Sequence, residues 1–292
     1  MAPTLSGIEL FMQAYLSTAP WVQESYLVPL PWRPVELSPK IKIGVMWSDG
    51  IVKPHPPVLR ALSETVKMLK SNPAFEVVEW KPIQHDKCWE ITCGLYWEDG
   101  GKRLKEVLAS AAEEALLLTA WLLEQEAMKP RTTEEVWKVS YILKVCFSAH
   151  SLKVVLLQLK AERNAYRTMY NQHWLNTGKD DGHPIDAILC PVGPCCAPPH
   201  DNSKYWGYTS QWNMLEYPAI AFPVGRIDQN LDVPDAQYVP QNKDDEFNHA
   251  LYTGPERFQD APISLQLVTR RYEDEKCIEV LKRIEAARKE SS

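Results

Sequence analysis

The sequence predicts an α/β fold in which a mixed, partly parallel β-sheet is flanked by helices. Two observations carry this. The apolar run IKIGVMW (residues 41–47), the helical stretch VLRALSETVKMLK and the second run FEVVEWK (75–81) spell strand, helix and strand at the length of a parallel crossover unit. Further on, AILCPVG and AIAFPVG are short apolar strands, each ended by Pro-Val-Gly, and ISLQLVT (263–269) supplies a fifth. Strands interleaved with helices over 292 residues fit one large domain covering residues 1–292.

Taken in order, the chain opens with a predicted helix whose N-cap is Ser6, with Glu9 three residues on and an apolar face of Leu10, Phe11, Ala14 and Tyr15; Pro20 stops it. VPLPWRPVELSPK is a proline-rich connector to the first strand. SDGIVKPHPP is a loop in which His55, between prolines, reads as part of a rigid exposed turn. Leu104, Val107, Leu108, Ala111, Ala115 and Leu118 recur at helical spacing and predict one long helix over 104–125, with more helix over 133–175. A short helix is expected around 211–215. Residues 228–261 are polar and acidic and read as an irregular surface excursion. The charged segment EDEKCIEVLKRIEAARK closes the chain as a helix.

Composition narrows the partners. A net charge of −6 argues against a general nucleic-acid or anionic-membrane binder. The most apolar stretch, VSYILKVCFSAHSLKVVLLQL, carries Lys144, His150 and Lys153, each costly in a bilayer, so no spanning helix is predicted. Seven cysteines, an odd number without CxxC pairs, and an N-terminus lacking a basic and an apolar region together point to a reduced, cytoplasmic setting.

Reactive residue types crowd the loop CPVGPCCAPPHDNSKYWGYTSQWN (190–213). Cys195 or Cys196 with His200 and Asp201 could form a thiol nucleophile and its base; alternatively, these are small packing thiols beside a solvated histidine. Cys190, Cys195, Cys196 and His200 lack the two-residue gap that lets paired thiolates share a zinc ion. GxSxG is absent, and Ser203 and Lys204 are sequence neighbours whose side chains diverge. One glycine pair, Gly100-Gly101, lacks the spacing of a phosphate cradle. No metal site and no catalytic residue is assigned. The aromatic half of the loop is either packing or a ligand wall.

The segments LSGIELFMQAYL, WVQESYLVPLPWR, KIGVMWSDGIVKPHPPVLRAL, YWEDGGKRL, the whole 185–225 stretch and PERFQDAPISLQLVTRRYEDEK resemble, in order and spacing, the C-terminal half of the amidase signature family, in its fungal acetamidase-like branch. The resemblance implies an incomplete amidase signature fold and a family that cleaves carboxylic amides through a serine nucleophile, a second serine and a neutral lysine, with no metal or organic cofactor. Those residues lie in the family's other half, and no Gly/Ser-rich signature occurs in this chain. It further implies that Tyr205, Trp206 and Tyr208 wall the acyl side of the substrate and that Asn213 is a polar contact or loop tether.

Four expectations follow. The chain is a truncated piece, inactive alone, whose partner is a small amide substrate once complemented. Alternatively, it is a non-catalytic partner of an intact enzyme. It self-associates, or pairs with an amidase, through an exposed sheet edge. Residues 139–156 interrupt the resemblance and are either an insertion or a retained intron.

Overall fold

The computed structural model describes residues 1–96, 99, 101–124 and 152–291. Its centre is a five-stranded sheet made of β1 (Ile41–Val45), β2 (Phe75–Glu79), β3 (Ala187–Pro191), β4 (Ala219–Arg226) and β5 (Pro262–Val268), in the order β2-β1-β3-β5-β4. β2, β1 and β3 run parallel, with Ile41 opposite Phe75 and Ile43 opposite Ala187. β5 pairs antiparallel with both β3 and β4, so the sheet is mixed as expected.

Strand composition explains the positions. β1 and β3 are buried along their whole length, which is why they read as unbroken apolar runs rather than alternating ones. Gly44 sits where a Cβ would come 2.8 Å from Cδ1 of Ile185, so a larger residue there requires the isoleucine side chain to shift. Lys42, buried in β1, keeps its ammonium group on Asp181 (2.6 Å) and the His183 carbonyl (3.0 Å). β4 is an edge strand with no partner on its outer side among the described residues. It carries Pro223, which an edge tolerates, and a bulge between Pro223 and Gly225.

Helices cover both faces. On one side, α2 (Pro56–Ser71) presents Val58, Ala61, Leu62, Val66 and Leu69 at three- and four-residue intervals. The final helix, α9 (Asp274–Ser291), adds Cys277, Val280, Leu281 and Ile284 to the same core. On the other side lie α3 (His85–Tyr96), α6 (Leu152–Leu175) and α7 (Gly207–Leu215). Their core is aromatic, with Trp80, Tyr166, Tyr170, Trp174 and Trp212 over Ile188 and Cys190.

Four expectations are corrected. The first helix, α1 (Leu5–Ser17), is capped by Thr4, whose Oγ1 accepts from Gly7 N, and not by Ser6; the Ser6 hydroxyl donates to Thr4 instead. The predicted apolar face is bare, with Leu10 68% and Phe11 66% exposed, and the helix instead packs Leu5, Ile8, Met12 and Leu16, which are half-buried. The predicted helix over 104–125 is two helices, α4 (Lys102–Ser110) and α5 (Leu117–Glu124), with Ala112 at φ 52° between them. α4 buries no residue, and helical spacing without a packed face does not hold a helix together. Residues 228–261 are not irregular throughout. They contain α8 (Lys243–Leu251), capped by Asn242, and bury Asp232, Asp245, Asn248 and Tyr252.

Of the predicted helix over 133–175, residues 152–175 are observed. Residues 139–151 of the predicted insertion, and Gly100, lie outside the described residues. No described helix is long and apolar enough to cross a membrane.

Candidate substrate cleft

The loop after β3 folds back over the ends of the antiparallel strands and encloses a cleft of about 380 Å³. Gly193, Cys195, Tyr205, Trp206, Tyr208 and Ser264 bound it. The sheet creates the hollow. At β3 the direction of the neighbouring strands switches from parallel to antiparallel, and the chain leaving Pro191 has to cross the strand ends.

A polar knot fixes the aromatic wall. Asp49, 3% exposed in the loop after β1, accepts from Ile51 N (2.9 Å) and Val52 N (3.0 Å) through Oδ1, and a short hydrogen bond from the Tyr205 hydroxyl through Oδ2. The Tyr208 hydroxyl donates to the Val52 carbonyl (2.6 Å) and accepts from Asp49 N (3.2 Å). Both phenols are thereby anchored at their polar ends. Gly207 completes the fit, because a Cβ there would lie 2.4 Å from the Tyr205 oxygen. Underneath, buried Gln266 of β5 donates to the Pro191 (2.7 Å) and Tyr208 (2.9 Å) carbonyls and ties the loop's two ends to the sheet. Trp206 donates to the Ser203 carbonyl (2.7 Å) and meets Trp89 edge to face.

Burial sets the charge states. It raises the Asp49 carboxyl, against the pull of the hydrogen bonds that favour the anion. It pushes the Tyr205 and Tyr208 hydroxyls far above the usual phenol range, so both remain neutral donors.

The structure gives Cys195 a different histidine from the neighbour the sequence suggests. Its Sγ lies 3.6 Å from Nε2 of His55, which is 140 residues earlier in the chain, while His200 and Asp201 are exposed. His55 is not an exposed turn residue; it is 3% exposed because the 228–252 segment covers it, and its Nε2 donates to the Asn248 carbonyl at 2.7 Å. This pair is not a nucleophile and its base. Burial lifts the Cys195 thiol to about 12 and lowers His55 to about 4, so thiol and imidazole are both uncharged near neutral pH. Lys204 is not directed at Ser203 chemistry either; its ammonium group lies 5.2 Å from the ring centres of Trp121 and Phe247. Among the described residues no group of three or more His, Cys, Asp or Glu is placed to hold a metal.

Of the four residues singled out in the sequence, Tyr205, Trp206 and Tyr208 line the cleft. Asn213 does not; it stands on the exposed side of α7. Sequence reasoning missed Asp49 and Asn248 and misjudged the exposure of His55, which its flanking prolines had marked. The Ser-Asp-Gly turn was the one local signal for Asp49, and nothing local marked Asn248.

The sequence profile of the family described as Amidase matches residues 1–278. The chain belongs to the amidase family. Its relatives include a Schizosaccharomyces pombe protein named "Putative amidase C550.07", 38% identical over 96% of this chain and 48% of that protein. The acetamidase of Emericella nidulans is 26% identical over 96% of this chain and 48% of its own length. Among solved structures, a fatty acid amide hydrolase superposes with a TM-score of 0.83 at 26% identity, covering 98% of this chain and 47% of that one. This amidase-family chain thus spans about half the length of the relatives it matches, and its sheet is an amidase signature sheet.

Proposed function

We propose that this amidase-family chain builds the acyl-side wall of an amide-hydrolysing site and is inactive by itself. The observation that carries this reading is the anchored aromatic cleft, whose phenols are neutral and whose Cys195 is an uncharged thiol beside an uncharged histidine. Tyr205, Trp206 and Tyr208 supply apolar surface for the acyl portion of a small amide. The Asp49 knot holds two of the rings in place before binding, which lowers the ordering cost of complex formation. The acyl-transfer groups that the family resemblance implies, two serines and a neutral lysine, have no matching motif in this sequence. Under this reading, a serine-bearing half of an amidase completes the sheet at the open edge of β4 and brings those groups to the cleft. The setting is cytoplasmic, in keeping with Cys88, Cys190, Cys195, Cys196 and Cys277 as free thiols.

The open β4 edge favours one second reading, that of a non-catalytic partner which binds an intact amidase. One experiment separates the two. The purified chain is expected to release no 4-nitroaniline from 4-nitroacetanilide. Co-expression with the serine-bearing half of a fungal acetamidase is expected to give activity that falls at least tenfold on Tyr205→Ala. Capture of a full-length amidase without activity from the paired halves supports the second reading. Hydrolysis by the purified chain alone refutes inactivity.

A further inference from the structure

A second cavity of about 480 Å³ lies beyond the far wall of the cleft. One side comes from the chain entering α2, with Pro54, His55, Pro56 and Leu59. The opposite side comes from the 233–252 segment, with Val233, Tyr238 and Tyr252 among its residues. His55 is the partition. Its ring lines this cavity, while its Nε2 meets Cys195 and the Asn248 carbonyl, and both of those residues belong to the cleft.

Most polar groups around this cavity are already committed elsewhere; the exception is Nδ1 of His55, a buried acceptor with no partner among the described residues. The Tyr238 hydroxyl donates to Asp245 and the Tyr252 hydroxyl to the Asp232 carbonyl (2.6 Å), which leaves their rings as apolar surface. The Lys53 ammonium group lies 3.0 Å from the Asp235 carboxylate and 4.0 Å over the Tyr238 ring, so its charge is balanced at the rim. His55 is held neutral by burial. Tyr252 is backed by Phe258, stacked at 5.3 Å, so the wall is rigid. The remaining lining is proline, leucine and valine together with His249, whose Nε2 donates to the Asp235 carbonyl at 3.3 Å and whose ring lies 5.3 Å from that of Tyr238. The volume falls in the range of small-molecule sites, and a mostly apolar lining with few polar groups is their usual character.

We infer that this cavity is a second binding site, separate from the amide cleft, for a small uncharged aromatic molecule. Proline and tyrosine surfaces on the lining suit a ring, and the closed Lys53–Asp235 pair leaves no unmatched charge at the rim to recruit an ion. The inference does not depend on the proposed amide chemistry, since no residue of that cleft wall takes part in it.

Fluorine NMR on the full chain tests it, with 4-fluorotoluene, 4-fluorobenzoate and 4-fluorobenzylamine as probes. Line broadening of 4-fluorotoluene is expected at millimolar concentration, with both charged probes at least tenfold weaker. Leu59→Trp fills the second cavity and should abolish the broadening, whereas Ala221 of β4 lines the cleft, so Ala221→Trp fills the cleft and should leave it unchanged. Where far-UV circular dichroism shows that Leu59→Trp has not folded, Val233→Trp blocks the same space from the exposed wall. The inference is overturned by absence of broadening, by broadening that survives the block, by its loss in Ala221→Trp, or by charged probes that bind equally well.

Discussion

Replacing Arg60 with methionine should destabilise the protein by about 3–5 kcal/mol, because it strands a buried charge. The Asp232 side chain is 0% exposed and accepts from Arg60 Nε (2.7 Å) and Nη2 (2.9 Å), with Asp228 N (2.8 Å) as its further donor. Methionine keeps much of the aliphatic stem but removes both charge-assisted bonds. The orphaned carboxylate then retains one backbone donor. Removing both partners, Arg60→Met with Asp232→Leu, takes the charge away. What remains uncompensated is the Asp228 N–H and the Arg226 carbonyl that Arg60 also reached (2.9 Å), a residual cost of about 1–3 kcal/mol. The double variant should therefore be more stable than Arg60→Met alone. Guanidinium unfolding followed by tryptophan fluorescence, arranged as a double-mutant cycle, reads both quantities. A single-variant loss below about 1 kcal/mol, or a double variant as unstable as the two single losses added together, refutes the reasoning. Because this pair ties the 228–252 segment to α2, Arg60→Met should also weaken aromatic binding in the second cavity.

Two further predictions concern the polar interior. Asp49→Ala leaves the Ile51 and Val52 N–H groups and the Tyr205 hydroxyl without their acceptor, and should cost about 2–4 kcal/mol. Asp49→Asn keeps the Oδ1 acceptor and should cost about 1 kcal/mol by urea unfolding; equal losses would remove the knot from the explanation. His55 and His85 are both depressed to about 4 by burial, so the unfolded chain binds more protons than the folded one between pH 6.5 and 4. Their contribution is complete above pH 6.5 and is lost on acidification toward pH 4, on the order of 3 kcal/mol for each histidine. Thermal melts from pH 7 to 4.5 should show this loss, and His55→Gln should flatten part of it; an unchanged slope in that variant contradicts the assignment.

The central strands were legible because burial on both faces writes itself as mostly apolar runs, broken in β1 by Lys42 alone, and the parallel pairing followed from the length of the α2 crossover. Local signals failed where the decisive contact was distant. Nothing near His55 announces that a segment almost 200 residues later will cover it, and its prolines correctly mark stiffness but not exposure. Periodicity failed differently at 104–125: the apolar spacing is present, yet α4 buries none of it, and in α5 Leu122 is the one buried residue among those described. At the cleft, the aromatic residues were visible as a cluster, whereas the Asp49 that orients them belongs to another strand's loop. The choice between a thiol site and packing thiols turns on the distant partner of Cys195 and on desolvation, neither of which the loop sequence contains.

The position of β1 between β2 and β3 bears on how freely this polypeptide can vary in length. β1 meets the β3 end of the sheet across 144 residues of chain, as the Lys42 N to Asp186 contact shows. Loop-closure entropy rises only with the logarithm of such a span, so the residues at 139–156 change the cost of bringing these strands together by about 0.1 kcal/mol. Lengthening or shortening the chain there is thermodynamically almost silent for the register of the sheet. A connection of the α2 kind between β1 and β2, which must span one helix and return, has no such latitude. Natural length changes in chains of this architecture should therefore accumulate between α5 and β3 and be rare between β1 and β2.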